Sequence, residues 1–439
     1  MEIKELNALY HDIKSSLLEQ PSESSQMVTE EDLIELVLSF NSIDRNQLPS
    51  FLETVGFKLL LMRKTKKSTI FRNVISIIQK VFQNESDDAI VWALYCFKSV
   101  VFHKPKSKLV LSVIQSYVFS MLSLFPNEIA MNALSVIEIW VWCSENARKI
   151  VFSEYGWEYF CSILNSVDSF NERYFIISCR ILILYIDKYN NSIEFAIANE
   201  IFGAFNMLFP RILGSSLAVI VALSLIQSII IQSNSFHLLL VHHNLDKVIC
   251  DLLYDDNEDI VFHSLRIIYR LLLSGIEISP ICLQQIISIL SSNSNKIQHP
   301  AIECIIACIG SRPDTVEFFT TNGLLSHLLP IVHCGFFKSI QSSIVLINMV
   351  VQNSSSAVLK DLIECNFVDD LFLILQNGDI PIQVYILRII HVLLIAEKQF
   401  GSTKTTMSLT QKTNRDFIEI LLDNENQSIS QLASVILNL

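Results

Sequence analysis

Four arginines carry the first chemical suggestion in this chain: Arg180, Arg266, Arg270 and Arg388. Each interrupts an apolar stretch. Two sit in identical tetrapeptides, Leu265-Arg266-Ile267-Ile268 and Leu387-Arg388-Ile389-Ile390. A guanidinium group is a planar fork of donors that pairs with carboxylates through charge-assisted bonds. A row of them on one face would select acidic partners. The plain alternative is that each arginine snorkels at a helix edge or pairs with a local acid. Other groupings promise less. Cys304 and Cys308 share a helical face, but two thiolates do not complete a zinc site. Asp255-Asp256-Asn257-Glu258-Asp259 lacks the spaced ligands and glycine of a calcium loop and reads as an exposed acidic turn. His242 and His243 read as a helix terminus. Arg63–Lys67 and His103–Lys108 are basic runs, read as docking patches or as solvated loops. No phosphate-binding GxxxxGK[ST], dinucleotide GxGxxG, metalloprotease HExxH or hydrolase GxSxG motif occurs. The expectation is a protein with no catalytic centre, no metal and no cofactor.

The elements that must position these residues follow from composition and period. Apolar residues make up 51% of 439, and charged residues 17%. Ten glycines and ten prolines are too few for a fold with many tight turns. A formal charge of −12 speaks against general nucleic-acid binding, which needs a basic face. The ten cysteines have no paired CxxC framework and read as buried thiols of a reducing compartment. Residues 1–29 hold a short amphipathic stretch and a polar run with Pro21, expected to be a flexible segment without a secretory signal. Residues 1–25 are therefore expected to be dispensable for folding. Ile212–Gln232 is uncharged and long enough to span a bilayer. Ser224, Gln227 and Ser228 nevertheless give it one polar face, so no membrane insertion is expected.

Lys338–Leu375 shows the unit. Ile340, Ile344, Ile347 and Val351 mark one helical face in Lys338–Gln352. Asn353 to Ser356 interrupt it, Ala357–Cys365 forms a short second helix, Asn366 allows a turn, and Val368–Leu375 forms a third. A unit of this size cannot bury so much apolar surface alone and must stack on copies of itself. The residues that close successive units are Phe82, Leu122, Leu164, Leu208, Leu253, Leu290, Val332, Leu375 and Leu422, separated by 37 to 47 residues. Most are followed by a short polar loop and a long apolar helix.

Periods of this length resemble those of armadillo and HEAT repeats. Asn322-Gly323-Leu324-Leu325 and Tyr155-Gly156-Trp157 resemble the glycine turn that opens the second armadillo helix, and 338–375 looks like a whole armadillo unit. Asp88–Val101 is similar to the ladder helix of importin-alpha. The resemblance covers residues 30–439. It implies an all-α, armadillo-type right-handed superhelical solenoid of about eight to nine three-helix repeats. It also implies a concave groove that binds a protein or an extended peptide. In importin-alpha that groove carries a Trp ladder and an Asn ladder. Aligning the long helices places Trp92, Asn132, Arg180, Ser224, Arg266, Glu303, Ile344 and Arg388 at the Trp positions. Cys96, Val136, Leu184, Ser228, Arg270, Ala307, Asn348 and Val392 fall at the Asn positions. Only Trp92 and Asn348 match. The expected groove is therefore Trp92, Asn132, Arg180, Arg266, Arg270, Glu303, Asn348 and Arg388. One implied role is a divergent importin-alpha-like adaptor, cytoplasmic or nuclear, with importin-beta or nuclear cargo as partners. Residues 1–30 lack the basic importin-beta-binding segment of that family. The other implied role is a cytoskeletal or chaperone-cofactor scaffold. Its arginine-lined groove would resemble the basic face of beta-catenin and prefer acidic peptides.

Overall fold

The computed structural model describes residues 30–61, 68–84, 86–166, 171–189, 193–365 and 367–439. The segment 1–29, the basic run at 63–67 and the turn at 366 lie outside them. Among the described residues every regular element is a helix. The chain packs as two compact units that divide between Gln232 and Ser233.

In the first unit five helices follow one another: α1 (Leu48–Leu61), α2 (Asp87–His103), α3 (Glu128–Cys143), α4 (Glu172–Tyr189) and α5 (Ser216–Ile230). Each packs against the next. The second unit repeats the plan with α6 (Glu258–Leu273), α7 (Asn295–Ser311), α8 (Phe337–Asn353), α9 (Ile380–Phe400) and α10 (Gln427–Asn438). Position in the row governs composition. In α3, flanked by α2 and α4, every residue from Ile129 to Val141 is buried. A helix enclosed on all sides is largely apolar all round, and the polar exceptions here are Asn132, Ser135 and Glu138. Fully burying one of its aliphatic side chains stabilises the fold by roughly 1.5–3 kcal/mol.

Polar residues set the helix starts. Asn127 Oδ1 accepts from Ala130 N at 2.9 Å, Ser279 Oγ from Cys282 N at 3.3 Å, and Asp379 Oδ1 from Ile382 N at 3.2 Å. These satisfy amides that no helical carbonyl reaches. The Asp255–Asp259 turn is such a device: Asn257 Oδ1 accepts from Asp259 N at 2.9 Å and starts α6.

Side-chain bonds also span one period. Ser99 Oγ donates to Gly56 O at 3.0 Å across 43 residues, and Ser339 Oγ to Asn295 Oδ1 at 3.0 Å across 44. One tie recurs. Gln298 Nε2 donates to Leu290 O at 3.1 Å and Gln383 Nε2 to Leu375 O at 3.2 Å, each eight residues past a unit-closing residue. All nine closing residues lie at or within a few residues of a helix end, and all but Leu422 are buried.

The helices between the long ones vary. The expected triplet around 338–375 is Phe337–Asn353, Ser356–Glu364 and Phe367–Asn377. Pairs of short helices also follow α7 (Thr315–Thr321, Leu324–Cys334) and α9 (Lys404–Thr410, Lys412–Ile420). Single helices follow α2 (Lys108–Leu122), α4 (Phe195–Ile212) and α6 (Pro280–Ile289). These periods hold two helices rather than three. The difference is local. Gly323 at φ 85°, Asn244 at φ 55° and Gly156 at φ 64° are left-handed breaks that divide a segment or kink it. The three single helices contain no left-handed residue.

Among the described residues, one helix, Ile380–Phe400, is long and apolar enough to cross a membrane, and half of that window is buried. The helix in the uncharged segment covers only Ser216–Ile230, with Ser224, Gln227 and Ser228 all buried.

Candidate functional site

The ladder residues divide sharply in their surroundings. Asn132 is buried, and its Nδ2 donates to Glu128 O of its own helix at 3.0 Å. Asn348 is buried, with Oδ1 accepting from Gln352 Nε2 at 3.4 Å. Neither offers its amide to a passing peptide. Ile344 is fully buried, whereas the next residue, Val345, lines an open cleft. One residue turns a helix by about 100°, enough to move a position from groove to core. Trp92 is half-buried, with its ring edge-on to Tyr95 at 5.7 Å.

Two of the four arginines hold acids of the neighbouring long helix. Arg180 on α4 reaches Glu138 on α3 at 3.6 Å, with both side chains under 10% exposed. Burial pushes the Glu138 carboxyl up, and Arg180 and Lys98 pull it down. Burial also brings the Lys98 ammonium on α2 down to about 8. Lys98, Glu138 and Arg180 thus form a charge chain across α2, α3 and α4. In the second unit Arg266 on α6 lies 3.8 Å from Glu303 on α7, both about 30% exposed. Arg270 is half-buried and Arg388 is exposed. A row of four open guanidinium groups is not present: Arg180 and Arg266 are already paired.

The exposed side of the second row contains a different constellation. A cleft of about 290 Å³ opens across α6 to α9. Tyr269, Glu303, Gln341, Asp379 and Tyr385 give it polar groups, and Ile306, Val345 and Ile382 an apolar wall. Asp379 Oδ2 accepts from Gln341 Nε2 at 3.4 Å while its other oxygen caps α9. Sequence reasoning marked only Glu303 among these. Tyr269 stands three residues past Arg266, and Tyr385 three before Arg388, so each lies on the face those arginines indicated.

Ser342 and Glu303 line the same cleft, and His299 lies between them. Ser342 Oγ is 3.1 Å from His299 Nδ1, and His299 Nε2 is 3.8 Å from Glu303 Oε1. Burial holds His299 below its ordinary value. The order hydroxyl, imidazole, carboxylate resembles an activated nucleophile. The contact to Glu303 is too long for a hydrogen bond, and Arg266 competes for that carboxylate. Ser342 lies in mid-helix, where backbone amides are bonded within the helix and offer no oxyanion donors. The group suits hydrogen bonding to a ligand.

The remaining candidates are structural. Cys304 and Cys308 are buried, with Cys304 Sγ donating to Leu265 O at 3.3 Å. His242 ends the helix Ser235–His242. Among the described residues no group of three His, Cys, Asp or Glu could hold a metal ion.

No family model and no curated protein matches the chain. Solved structures do. One is the crystal structure of an engineered protein from a structural genomics consortium, with a TM-score of 0.66 at 13% identity. The alignment covers 93% of this chain and 98% of that one. At that identity the likeness concerns the fold: this chain is an all-helical protein built on a similar backbone plan.

Proposed function

We propose that the chain is a non-enzymatic helical solenoid of the armadillo type that binds an extended peptide of a partner protein along its long helices. The cleft across α6 to α9 carries this reading. It joins two carboxylates, Asp379 and Glu303, the second shared with Arg266 at 3.8 Å, to two tyrosines and an apolar wall. That combination suits the aliphatic stem and cationic head of a lysine or arginine, through apolar contact, cation–π attraction and charge pairing. It supports a divergent importin-alpha-like adaptor over an acid-binding scaffold. Exposed Arg388 and half-buried Arg270 favour the second reading, in which acidic peptides bind. A titration separates them. A lysine-rich and a glutamate-rich peptide are measured against wild type and the double variant Glu303→Gln/Asp379→Asn, which keeps a capping side chain at α9. The lysine-rich peptide should bind better and lose roughly fivefold to tenfold in the variant, at up to about 1 kcal/mol per partly screened pair. Tighter binding of the glutamate-rich peptide, unchanged in the variant, would transfer the case to the acid-binding scaffold.

A further inference from the structure

In the first unit Pro105 to Lys108, the end of the basic run His103–Lys108, form one wall of a cleft of about 340 Å³. Lys106 and Lys108 come from this run, between α2 and the helix that follows. Lys149 comes from the helix after α3, so distant parts of the sequence bring three ammonium groups to one opening. Among the described residues that line it, none is a carboxylate. Glu145, at its edge, takes Lys149 at 3.3 Å in an exposed pair. Among the described residues that line or edge the cleft, three cations stand against that one acid, an excess of two positive charges in a chain whose formal charge is −12. Two hydrogen bonds tie the framework together. Trp140, buried at 2% exposure, donates from Nε1 to Pro105 O at 3.1 Å and fixes the lysine loop to α3. Ser144 Oγ accepts from Ala147 N at 3.4 Å and fixes the start of the helix that carries Lys149. Ser107 and Asn146 add a hydroxyl and an amide, while Leu111 and Ile150 supply apolar surface.

We propose that this cleft binds a phosphorylated side chain of a partner protein. A phosphate monoester carries a charge close to −2 near neutral pH, which matches the excess of two. Lysine binds phosphate as a point charge and needs no planar fork. The apolar wall and the volume leave room for the side chain that carries the phosphate, which a free anion would not use. This site is independent of the cleft across α6 to α9 and goes beyond the reading proposed for it.

The test uses the full chain and a fluorescent peptide, Gly-Leu-Ser-Leu-Gly, in three forms: phosphoserine, serine, and glutamate in place of serine. Binding is followed by anisotropy at low and at physiological salt, with inorganic phosphate as competitor. The triple variant Lys106→Gln/Lys108→Gln/Lys149→Gln removes the charges and keeps most of the stems. All three lysines are exposed, so circular dichroism should be unchanged. The phosphopeptide should bind in preference to the other two, weaken with salt, and lose roughly tenfold or more in the triple variant. Equal phosphopeptide binding by wild type and variant overturns the site. Equal binding of the glutamate and phosphoserine forms overturns the dianion. Inorganic phosphate competing as well as the unlabelled phosphopeptide overturns the peptide ligand and leaves a free-anion pocket. Absence of phosphopeptide binding at low salt overturns the proposal altogether.

Discussion

Replacing Arg180 by methionine should expose the cost of the charge chain across α2, α3 and α4. The methionine keeps much of the apolar stem and removes the charge. Glu138 then remains buried with Lys98 as its nearby cation. At the observed separation of 3.6 Å and an effective dielectric of about 20, the lost attraction is about 4–5 kcal/mol. Glu138 can escape part of this by taking up a proton, so a net loss of about 3 kcal/mol near neutral pH is expected, at the lower end for breaking a buried pair. The pH dependence has a definite sign. Burial raises the folded Glu138 above its ordinary 4.5, and Arg180 counters this. Without Arg180 the folded carboxyl binds its proton to still higher pH. The folded state then holds more protons than the unfolded state above 4.5, so stability falls as pH rises through that window. The variant's loss should therefore be smaller at pH 5 than at pH 8. All four tryptophans, Trp92, Trp140, Trp142 and Trp157, lie in the first unit, so urea unfolding followed by tryptophan fluorescence reports that unit. The double variant Arg180→Met/Glu138→Leu should recover part of the loss, because it removes the buried carboxylate and leaves only Lys98 without its counter-charge. A single-variant cost below about 1 kcal/mol, or equal costs at pH 5 and pH 8, would refute a dominant buried pair.

Other outcomes test other parts of the molecule. Lys98 is held down to about 8 in the folded state, below the 10.5 of an unfolded lysine, so its contribution should make stability rise between those two values; the slope difference between wild type and Lys98→Met isolates it from titrating thiols. Gly56→Leu should cost about 1–3 kcal/mol, because a Cβ there already meets the Cys96 backbone at 3.0 Å; an unchanged urea midpoint would contradict the close approach of α1 and α2. Gly323→Ala, at φ 85°, should cost ~1–2 kcal/mol, whereas Gly214→Ala, with open space around it and no positive φ, should be nearly neutral in the same thermal melts. Iodoacetamide should label Cys334 and Cys365 first, since these are the exposed thiols while burial raises Cys96, Cys161, Cys179 and Cys304; mass spectrometry of a time course decides.

The repeat was legible because burial is periodic. A residue that closes one unit must be apolar in the next, and Leu290 and Leu375 each carry a glutamine tie eight residues on. The number of helices in each period was less legible. In some periods a left-handed residue makes the break, as Gly323 and Asn244 do, whereas Gln411 divides Lys404–Thr410 from Lys412–Ile420 with its backbone at φ −57°. Asn244 takes φ 55° without a glycine to announce it. The face of each long helix was less legible: the ladder alignment put Asn132 at the register where Glu138 meets Arg180, six residues off, and a single residue decides whether Ile344 or Val345 meets the cleft. The lysines of the first unit were visible as a run, but Lys149 lies about 40 residues from Lys108 and joins it only through the fold.

The arginine pairs follow from the same period. From α3 to α4 the closing residues Leu122 and Leu164 are 42 apart, and the step back from Arg180 by 42 reaches Glu138. From α6 to α7 the closing residues Leu253 and Leu290 are 37 apart, and the step from Arg266 by 37 reaches Glu303. Both acids are ion-paired partners in space. The same step from Arg270 reaches Ala307, and the step of 43 back from Arg388 reaches Val345, neither of them acidic. Residues at one register on neighbouring long helices are lateral neighbours, as cross-strand residues are in a sheet. An arginine in such a row is available to a ligand only when the next helix carries no acid at that register. By this rule Arg388, exposed on α9, is the guanidinium group most open to an acidic ligand, while Arg180 serves the packing of α3 against α4. Charge along the exposed face is therefore set by pairs of helices, and composition read one helix at a time overstates its positive character.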